Sequence, residues 1–440
     1  MIKNRTAILA LLTGLNLLNY IDRYVVAAVL KKIQEPEAAG GLGLSNLEGG
    51  LLATAFLLGY FVTSPLFGAR ADKGKRTGLI AFGVIVWSVA TFMTGLAHSF
   101  ATMIIARVIV GVGEASYATL APTIIDDITP PEKKSSTLAI FYLAIPVGSA
   151  LGFVLGGQIE PVWGWRGAFM IAGGPGVVLA LLCLLIKEPE RKLSTDKASI
   201  SENIGVLSKI PLFRRAVLGY CAYTGAVSAF AFWAPSYLAN KFGATVHFDF
   251  SHTIPQVVVD QAAQLSNKNA STIFGAVTVV GGAIGTLVGG RWADWAQRKG
   301  PLVTEASAWN SRENKLAINA QLKVCAWGMI IATPLTALAF GMPTPLLFFA
   351  CAFLAEIGLF LSTSPVSAIG LRSVPPELRA SAMAAMIFAI HLFGDLWSPS
   401  VLGLLQDVLV SIVAMMILPL VFAWSAYLWW PRAKEADVGD

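Results

Sequence analysis

Twelve stretches of this 440-residue chain are apolar over roughly 20 residues or more, the length that an α-helix needs to cross the hydrocarbon of a bilayer. In lipid, every backbone N–H and C=O must find its partner within the segment, so such stretches fold as helices. The sequence therefore predicts an all-α membrane protein with twelve spans. The predicted bounds are 6–30, 47–69, 77–97, 100–125, 137–158, 166–187, 213–240, 270–290, 321–341, 346–371, 382–405 and 408–430.

Composition and charge support this interpretation. Apolar residues make up 55% of the chain and charged residues only 13%, about half of the roughly 25% charge that is typical of soluble proteins. The net charge of +6 indicates membrane topology and not affinity for nucleic acid, because lysine and arginine collect in alternate loops. All four cysteines lie in apolar spans, so no disulfide framework, metal site or cofactor is expected.

The basic residues also predict orientation. Short cytoplasmic loops collect lysine and arginine, and most of these residues lie at the termini or in loops that follow even-numbered spans. An even number of spans places both termini on that same side. Both termini are therefore predicted to be cytoplasmic.

A polar stretch at 188–212 divides the spans into two sets of six. Its serines, threonine and alternating charges are typical of a linker. The predicted organisation is an N-terminal six-helix bundle at 1–187, a cytoplasmic linker at 188–212 and a C-terminal six-helix bundle at 213–440. A weak internal repeat supports this division, since Gly-x-x-x-Asp ending at Asp72 after span two resembles Gly-x-x-x-Asp ending at Asp294 after span eight.

Charged residues inside the first and fourth spans are the strongest indication of function. A charge at the bilayer centre costs about 3 kcal/mol, and such residues usually mark a substrate pathway or proton relay. Arg107 and Glu114 are seven residues apart, so they share one helix face about 10 Å apart along the axis. We expect Glu114 to be the main proton site, with Arg107 alternating between Glu114 and an anionic head group. The alternative is a static ion pair that only fixes packing.

Asp22 and Arg23 on span one are adjacent, so their side chains point about 100° apart. Asp22 is expected to pair with another helix. Arg23 is expected to reach the cavity, where guanidinium matches a phosphate in bidentate fashion. The alternative is a snorkelling pair near the membrane interface.

The second half contributes further candidates. His391 and Asp395 lie one turn apart on span eleven and could share a proton or form a structural hydrogen bond. Glu356 lies in the middle of span ten and is a candidate site on physical grounds alone. On span seven, Tyr223 and Trp233 are the best candidates for lining a cavity, although such aromatic stripes are often ordinary packing.

The loop from Gly68 to Arg76 resembles the signature of the major facilitator superfamily, with Lys75 in place of the usual second glycine. In that family the acidic residue sits near a helix N-terminus of the opposite bundle, where the helix dipole favours it. The resemblance implies that the two loops latch the cytoplasmic side shut; in the second loop Trp295 replaces a basic residue. The implied gating residues are Asp72, Lys73, Arg76, Asp294 and Arg298.

A narrower resemblance covers most of the chain. The segments Asn19–Arg23, Arg107–Tyr117, Phe141–Gly148 and His391–Pro399 resemble the spinster branch of that superfamily, and the short loops and termini resemble bacterial members. The resemblance implies an integral protein of a bacterial inner membrane. The expected substrate-binding residues are Arg23, Arg107, Glu114, Tyr117, Tyr223, Trp233, Glu356 and His391, and the expected proton-coupling residues are Glu114, Asp22, His391 and Asp395.

The expected function is secondary active transport by alternating access, coupled to protons. The resemblance implies substrates such as lysophospholipid or sphingosine-1-phosphate-like anionic amphiphiles. The alternative is a proton symporter for a small organic anion such as a sugar acid. No enzyme is expected, because the spans contain no arrangement of serine, histidine and acid and no phosphate loop. The expected partners are the amphiphile, protons and membrane lipids, with the chain acting as a monomer.

Overall fold

The computed structural model describes residues 2, 4–71, 75–129, 134–188, 205–242, 245–249, 256–260, 267–298, 309–375 and 378–432. The spans predicted from hydropathy are present as helices, and they keep their numbers below. Their bounds are Arg5–Gln34 (one), Asn46–Ala71 (two), Arg76–Gly95 (three), Phe100–Ile128 (four), Lys134–Leu184 (five and six), Pro211–Lys241 (seven), Asn267–Arg298 (eight), Arg312–Gly341 (nine), Pro345–Phe360 with Thr363–Arg372 (ten), Arg379–Ile390, His391–Asp395 and Ser398–Val408 (eleven), and Ser411–Met415 with Ile417–Trp429 (twelve).

Ten helical segments among the described residues are long and apolar enough to cross a membrane. One of them, Ile140–Leu184, is 45 residues long and holds spans five and six. Span one is not among the ten, because Asn16, Asn19, Asp22 and Arg23 lower its hydropathy. The twelve predicted spans and the ten segments therefore describe the same architecture.

Spans five and six are joined by a very short connection. Helical assignment runs from Lys134 to Leu184, and the non-helical residue inside it is Gly164, with φ of +68°. Glycine has no Cβ and adopts this left-handed conformation at little steric cost. The sequence predicts a connection of several residues here, whereas the structure turns the chain at this glycine.

Two other features differ from the prediction. Span nine begins at Arg312, nine residues before its predicted start, and the Ser311 hydroxyl caps it by accepting from the Asn314 N–H. Between spans seven and eight, Thr245–Asp249 and Gln256–Asp260 pair as antiparallel strands, with His247 opposite Val258. Hydropathy analysis, which finds only long apolar segments, has no signal for either feature.

The chain forms two compact units that interleave along the sequence. Unit one comprises Met1–Leu193, Ala231–Ala276 and Pro399–Val408, and unit two comprises Ser194–Phe230, Val277–Ser398 and Leu409–Asp440. Spans one to six thus share a unit with parts of spans seven, eight and eleven. The division into bundles at 1–187 and 213–440 with a linker between them stays a prediction.

In unit one, glycines allow spans to cross at backbone contact. A Cβ added at Gly148 of span five would lie 2.7 Å from the Leu17 carbonyl oxygen of span one, and one added at Gly152 would lie 2.8 Å from that of Ile21. Between spans four and three, a Cβ on Gly113 would lie 2.6 Å from the Gly83 oxygen. Real Cβ atoms do not approach so closely, so these crossings require glycine. Small residues are the usual means of close packing between membrane helices.

Unit two repeats these crossings six spans later. A Cβ on Gly394 of span eleven would lie 2.9 Å from the Cys221 oxygen of span seven. A Cβ on Gly328 of span nine would lie 2.5 Å from the Gly358 oxygen of span ten. The pairs five with one and four with three therefore correspond to eleven with seven and ten with nine. The weak sequence repeat therefore has a counterpart in structure, since corresponding spans pack against each other in the same pairs.

Candidate functional site

The charged residues of spans one and four meet inside unit one. The Glu114 carboxylate is fully buried, and its Oε2 lies 3.0 Å from Nη2 of Arg23. Asp22, which precedes Arg23 on span one, is also buried. It accepts a 3.3 Å hydrogen bond from the Thr91 hydroxyl of span three. Asp22 thus contacts span three while Arg23 contacts span four, and the 100° offset between adjacent residues of a helix allows this.

Glu114 pairs with Arg23 and not with Arg107 on its own helix. Arg107 is buried, and its Nε and Nη1 have no hydrogen-bond partner among the described residues. Two helical turns separate it from Glu114, about 10 Å of axial rise, whereas span one presents Arg23 at the height of the carboxylate. In this structure the Glu114 carboxylate therefore contacts span one, and the expected alternation of Arg107 between Glu114 and an anionic head group stays a prediction.

Aromatic rings surround the two guanidinium groups. The Arg23 Cζ lies 4.9 Å from the ring centroid of Tyr20 and 4.8 Å from that of Phe56. Arg107 lies against the same Phe56 ring at 5.2 Å. Ring faces attract cations, and the attraction is stronger when water is excluded. Phe56 therefore contacts both arginines, although aromatic patterning alone did not single it out.

Several polar atoms of this cluster are buried and unpaired among the described residues. They are Asp22 Oδ1, Arg23 Nε, Arg107 Nε and Nη1, and Glu114 Oε1. Buried polar atoms in folded proteins are normally satisfied, and each one left without a partner costs free energy. The cluster is thus equipped to take up water, a proton or an anionic group. Of its members, Arg107 offers the greatest number of donors.

Tyr117 lies one turn beyond Glu114 on span four. Its hydroxyl donates to the Leu12 carbonyl of span one at 2.5 Å, and its ring packs edge-on against Trp87. The side chain is buried. In this structure Tyr117 therefore ties span four to span one.

In unit two, His391 and Asp395 form the pair expected from their spacing. Nδ1 of His391 lies 3.1 Å from Oδ1 and 3.0 Å from Oδ2 of Asp395. Residues His391–Asp395 form a π-helical segment within span eleven. Such segments are rare and occur frequently at functional sites. Spacing predicted the pair, but nothing in the sequence analysis predicted the π segment.

Glu356 is a buried acid of unit two. Its Oε1 accepts a 3.0 Å hydrogen bond from the Thr278 hydroxyl of span eight, and its Oε2 has no partner among the described residues. Gly281 of span eight makes room for it, since an added Cβ would lie 3.2 Å from the Glu356 Cβ. Glu356 is thus buried where spans eight and ten cross.

The two span-seven aromatics lie in different units. Tyr223 belongs to unit two, where its ring stacks on Tyr220 at 5.9 Å and packs against Trp429 at 6.0 Å. Trp233 belongs to unit one and donates from Nε1 to the Pro399 carbonyl at 2.9 Å. Both side chains are buried. In this structure each takes part in helix packing.

Trp233 belongs to a larger set of contacts in unit one, at the end that carries the loop between spans one and two. We call this end the first-loop end. Here the Asp407 carboxylate accepts from the backbone N–H groups of Asn46 and Leu47 at 3.0 and 2.7 Å, which caps the start of span two. Thr54 and Ser400 share a 2.6 Å hydrogen bond. These contacts hold span two against span eleven and so close the first-loop end.

Glycine permits this closure. A Cβ on Gly50 would lie 2.4 Å from the Pro399 carbonyl oxygen, and one on Gly403 would lie 2.3 Å from that of Asn46. Polar and glycine residues so far apart in sequence carry no signal that would predict their pairing. The sequence therefore does not indicate these residues as functional candidates.

Of the expected latch residues, the structure describes one side chain. Asp72 and Lys73 lie outside the described residues, and so do the side chains of Asp294 and Arg298 on span eight. Arg76 begins span three, and its side chain is almost fully buried.

Arg76 joins three parts of unit one. Its Nη1 lies 2.6 Å from Asp127 Oδ2 at the end of span four, and its Nε lies 2.9 Å from Glu188 Oε1 beyond span six. The Thr77 N–H and hydroxyl complete the shell of Glu188 at 3.1 and 3.0 Å.

Replacing Arg76 with glutamine is expected to lower the free energy of unfolding by about 3 kcal/mol, because two carboxylates lose their shared cation. The measurement is denaturant unfolding of the purified protein in detergent. Arg70→Gln is the matched control, since Arg70 is exposed in the same region, and its expected effect is about 0.5 kcal/mol or less. Equal effects of the two substitutions would contradict the assigned role of Arg76.

The Glu188 shell also predicts a pH dependence. Burial tends to raise the pKa of Glu188, but hydrogen bonds from Arg76 and Thr77 outweigh it, so the pKa lies below the ordinary 4.5. The stabilisation is therefore complete above pH 4.5 and declines as the pH falls through the folded-state pKa. The measurement is the free energy of unfolding of the wild type and of Glu188→Gln between pH 7 and pH 3. The difference between the two proteins is expected to shrink as the pH falls. A constant difference would contradict this.

Comparison with known proteins agrees with the fold. A family model described as Major Facilitator Superfamily matches residues 12–399. Protein spinster homolog 1 of Xenopus tropicalis is 32% identical over 418 residues, covering 92% of this chain and 73% of the relative. The Arabidopsis thaliana protein named "Probable sphingolipid transporter spinster homolog 2" is 31% identical over 425 residues, covering 89% and 79%.

A solved structure of similar fold covers nearly the whole chain. It is described as a bacterial homolog to the human lysosomal transporter spinster, in an inward-facing and occupied conformation. It superposes with a TM-score of 0.78 at 21% identity and covers 98% of this chain and 97% of that one. The fold, the family model and the relatives lead to one conclusion: this chain is a membrane transporter of the major facilitator superfamily and belongs to its spinster family.

Proposed function

We propose that this protein moves anionic amphiphiles, such as lysophospholipid or a sphingosine-1-phosphate-like lipid, across a bacterial inner membrane in a proton-linked cycle of alternating access. The observation that carries the proposal is the buried Arg107 guanidinium, which contacts the same Phe56 ring as Arg23 of the Arg23–Glu114 ion pair and has two donors without a partner among the described residues. A guanidinium in that state is a binding group for a phosphate head. The relative named as a sphingolipid transporter supports the lipid class.

The ion pair supplies the link to protons. When Glu114 is ionised, Arg23 is held at 3.0 Å. When Glu114 takes up a proton, the charge pair is lost and Arg23 is released toward the anionic head together with Arg107. Proton occupancy and substrate binding are then linked free energies, because each changes the state that the other favours. Asp22, His391 and Asp395 are proposed as further members of the proton path.

The orientation is part of the same proposal. Basic residues in loops after even-numbered spans favour cytoplasmic termini. The test of this orientation is to introduce a cysteine in each terminus and to label it with a membrane-impermeant reagent, in intact cells and in inverted vesicles. Labelling in intact cells would contradict it.

The alternative is symport of a small organic anion such as a sugar acid, for which the same arginines and Glu114 would serve. The experiment is transport into proteoliposomes, comparing labelled lysophosphatidylethanolamine with labelled glucuronate, with and without an imposed pH gradient. Movement of the lysolipid that responds to the gradient supports the proposal. Accumulation of glucuronate without movement of lysolipid replaces the proposal with the alternative.

A further inference from the structure

A groove lies between spans nine and twelve of unit two, and it shares no residue with the charged cluster of unit one. It has a volume of about 430 Å³, and Tyr427 and Trp430 at its rim are 58% and 41% exposed. It therefore opens on the outer surface of the helices and not into their interior. Its lining residues are Ile330, Thr333, Pro334, Ala423, Ala426, Tyr427, Trp430 and Arg432.

The walls of the groove are suited to an acyl chain. Pro334 lies inside span nine, where it removes one backbone hydrogen bond and favours a bend. The Thr333 hydroxyl is turned back onto the Met329 carbonyl at 2.7 Å. Ala423 and Ala426 of span twelve line the groove together with Pro334, and their small side chains leave space there. The resulting trough is almost entirely apolar along its length.

One end of the groove is cationic and aromatic. The Arg432 guanidinium lies 5.6 Å from the ring centroid of Tyr427, and the Lys323 ammonium lies 6.0 Å from the ring of Trp430. Trp327 packs edge-on against Trp430 at 6.0 Å. Both Lys323 and Arg432 are exposed. Such rings prefer the head-group level of a bilayer, which places these two cations where lipid phosphates lie.

A third cation fixes this end of the groove. Arg215 of span seven is buried and donates from Nε to the Leu428 carbonyl and from Nη2 to the Trp430 carbonyl, both at 3.1 Å. These bonds cap the end of span twelve, where the helix dipole favours a positive charge. The backbone that carries Trp430 and Arg432 is therefore held in place, and the cationic end is preformed.

We propose that this groove binds one anionic glycerophospholipid. An acyl chain lies along Ile330, Thr333 and Ala423, and the phosphate lies between Lys323 and Arg432. Two cations at one phosphate select a net negative lipid over a zwitterionic one, whose own positive group they repel. The bound lipid joins spans nine and twelve at a site separate from the charged cluster of unit one.

The test is native mass spectrometry of the full-length protein in detergent, titrated with phosphatidylglycerol or with phosphatidylcholine of the same acyl chains. One phosphatidylglycerol is expected to bind tightly, with phosphatidylcholine at least tenfold weaker. The double variant Lys323→Gln/Arg432→Gln is expected to bind phosphatidylglycerol roughly thirtyfold more weakly, since each juxtamembrane cation contributes several-fold to anionic-lipid affinity.

Two further variants make the result specific. Lys209→Gln/Lys315→Gln removes two charges from another pocket of unit two and is expected to leave affinity unchanged. Lys323→Arg/Arg432→Lys keeps both charges and is expected to retain binding within about threefold. Equal binding of the two lipids, unchanged affinity in the Lys323/Arg432 glutamine variant, or equal loss in the Lys209/Lys315 variant would each overturn the proposal.

Discussion

Transport by Glu114→Gln is expected to be roughly thirtyfold slower than transport by the wild type. Glutamine keeps the shape of the side chain but removes the charge that holds Arg23 at 3.0 Å, and loss of one member of a buried charge pair costs about 2 kcal/mol or more, which is about thirtyfold in rate. Glutamine also cannot take up the proton that the proposed cycle assigns to Glu114. The measurement is the initial rate of lysophosphatidylethanolamine movement in proteoliposomes, with and without a pH gradient.

Comparing the rates with and without a pH gradient distinguishes a role of Glu114 in proton coupling from a role in packing. A variant that only weakens packing would be slower but would still respond to the imposed gradient, whereas loss of the proton site removes the response itself. Glu160→Gln is the control, since Glu160 belongs to unit one and lies at the pocket near Lys32 and Glu35, away from the cluster. If Glu114→Gln retains the full response to pH, Glu114 is not the coupling site.

Gly50→Ala is expected to disrupt the first-loop end. The new Cβ would lie 2.4 Å from the Pro399 carbonyl oxygen and 2.6 Å from the Ser400 Cα, and both are backbone atoms that no rotamer change can move aside. The segment at 399–403 must therefore shift away from span two, which strains the Trp233, Thr54 and Asp407 contacts. We expect transport to fall more than tenfold. Raising the free energy of the state in which the first-loop end is closed by about 1.4 kcal/mol lowers the population of that state tenfold.

A structural readout accompanies the rate. Ser400 is buried, so Ser400→Cys should react slowly with a maleimide on the otherwise wild-type background and at least tenfold faster on the Gly50→Ala background. Gly14→Ala is the matched control, because a Cβ placed there would meet no atom of the described residues within 4 Å, apart from its chain neighbours and the backbone of its own helix. Unfolding of Gly50→Ala is monitored by size-exclusion chromatography. Slow labelling of folded Gly50→Ala would show that Gly50 does not govern this closure.

Most of the architecture could be predicted from sequence, because whether a segment crosses a bilayer depends on the hydropathy of that segment alone. The twelve spans follow from local composition alone. Helices that carry Asp22 or Glu114 had to turn them inward, since exposure to lipid is costly. The His391–Asp395 contact followed from helical spacing, which is also local.

What could not be predicted depends on how separate helices are placed. Whether Glu114 meets Arg23 or Arg107 is decided by the axial height of span one relative to span four, and one sequence does not specify that height. The same holds for Asp407 and Asn46, which are 361 residues apart. The Arg76 contacts with Asp127 and Glu188 likewise require three chain segments to be placed together.

The glycine crossings of spans five and one have a consequence at the level of the gene. Every single-base change in a glycine codon that alters the amino acid gives a residue with a Cβ or stops translation. At Gly148 and Gly152 each such Cβ would lie less than 3 Å from a carbonyl oxygen of span one. A missense change at either codon therefore requires span five to move away from span one, so we expect selection against such changes in organisms that carry this gene.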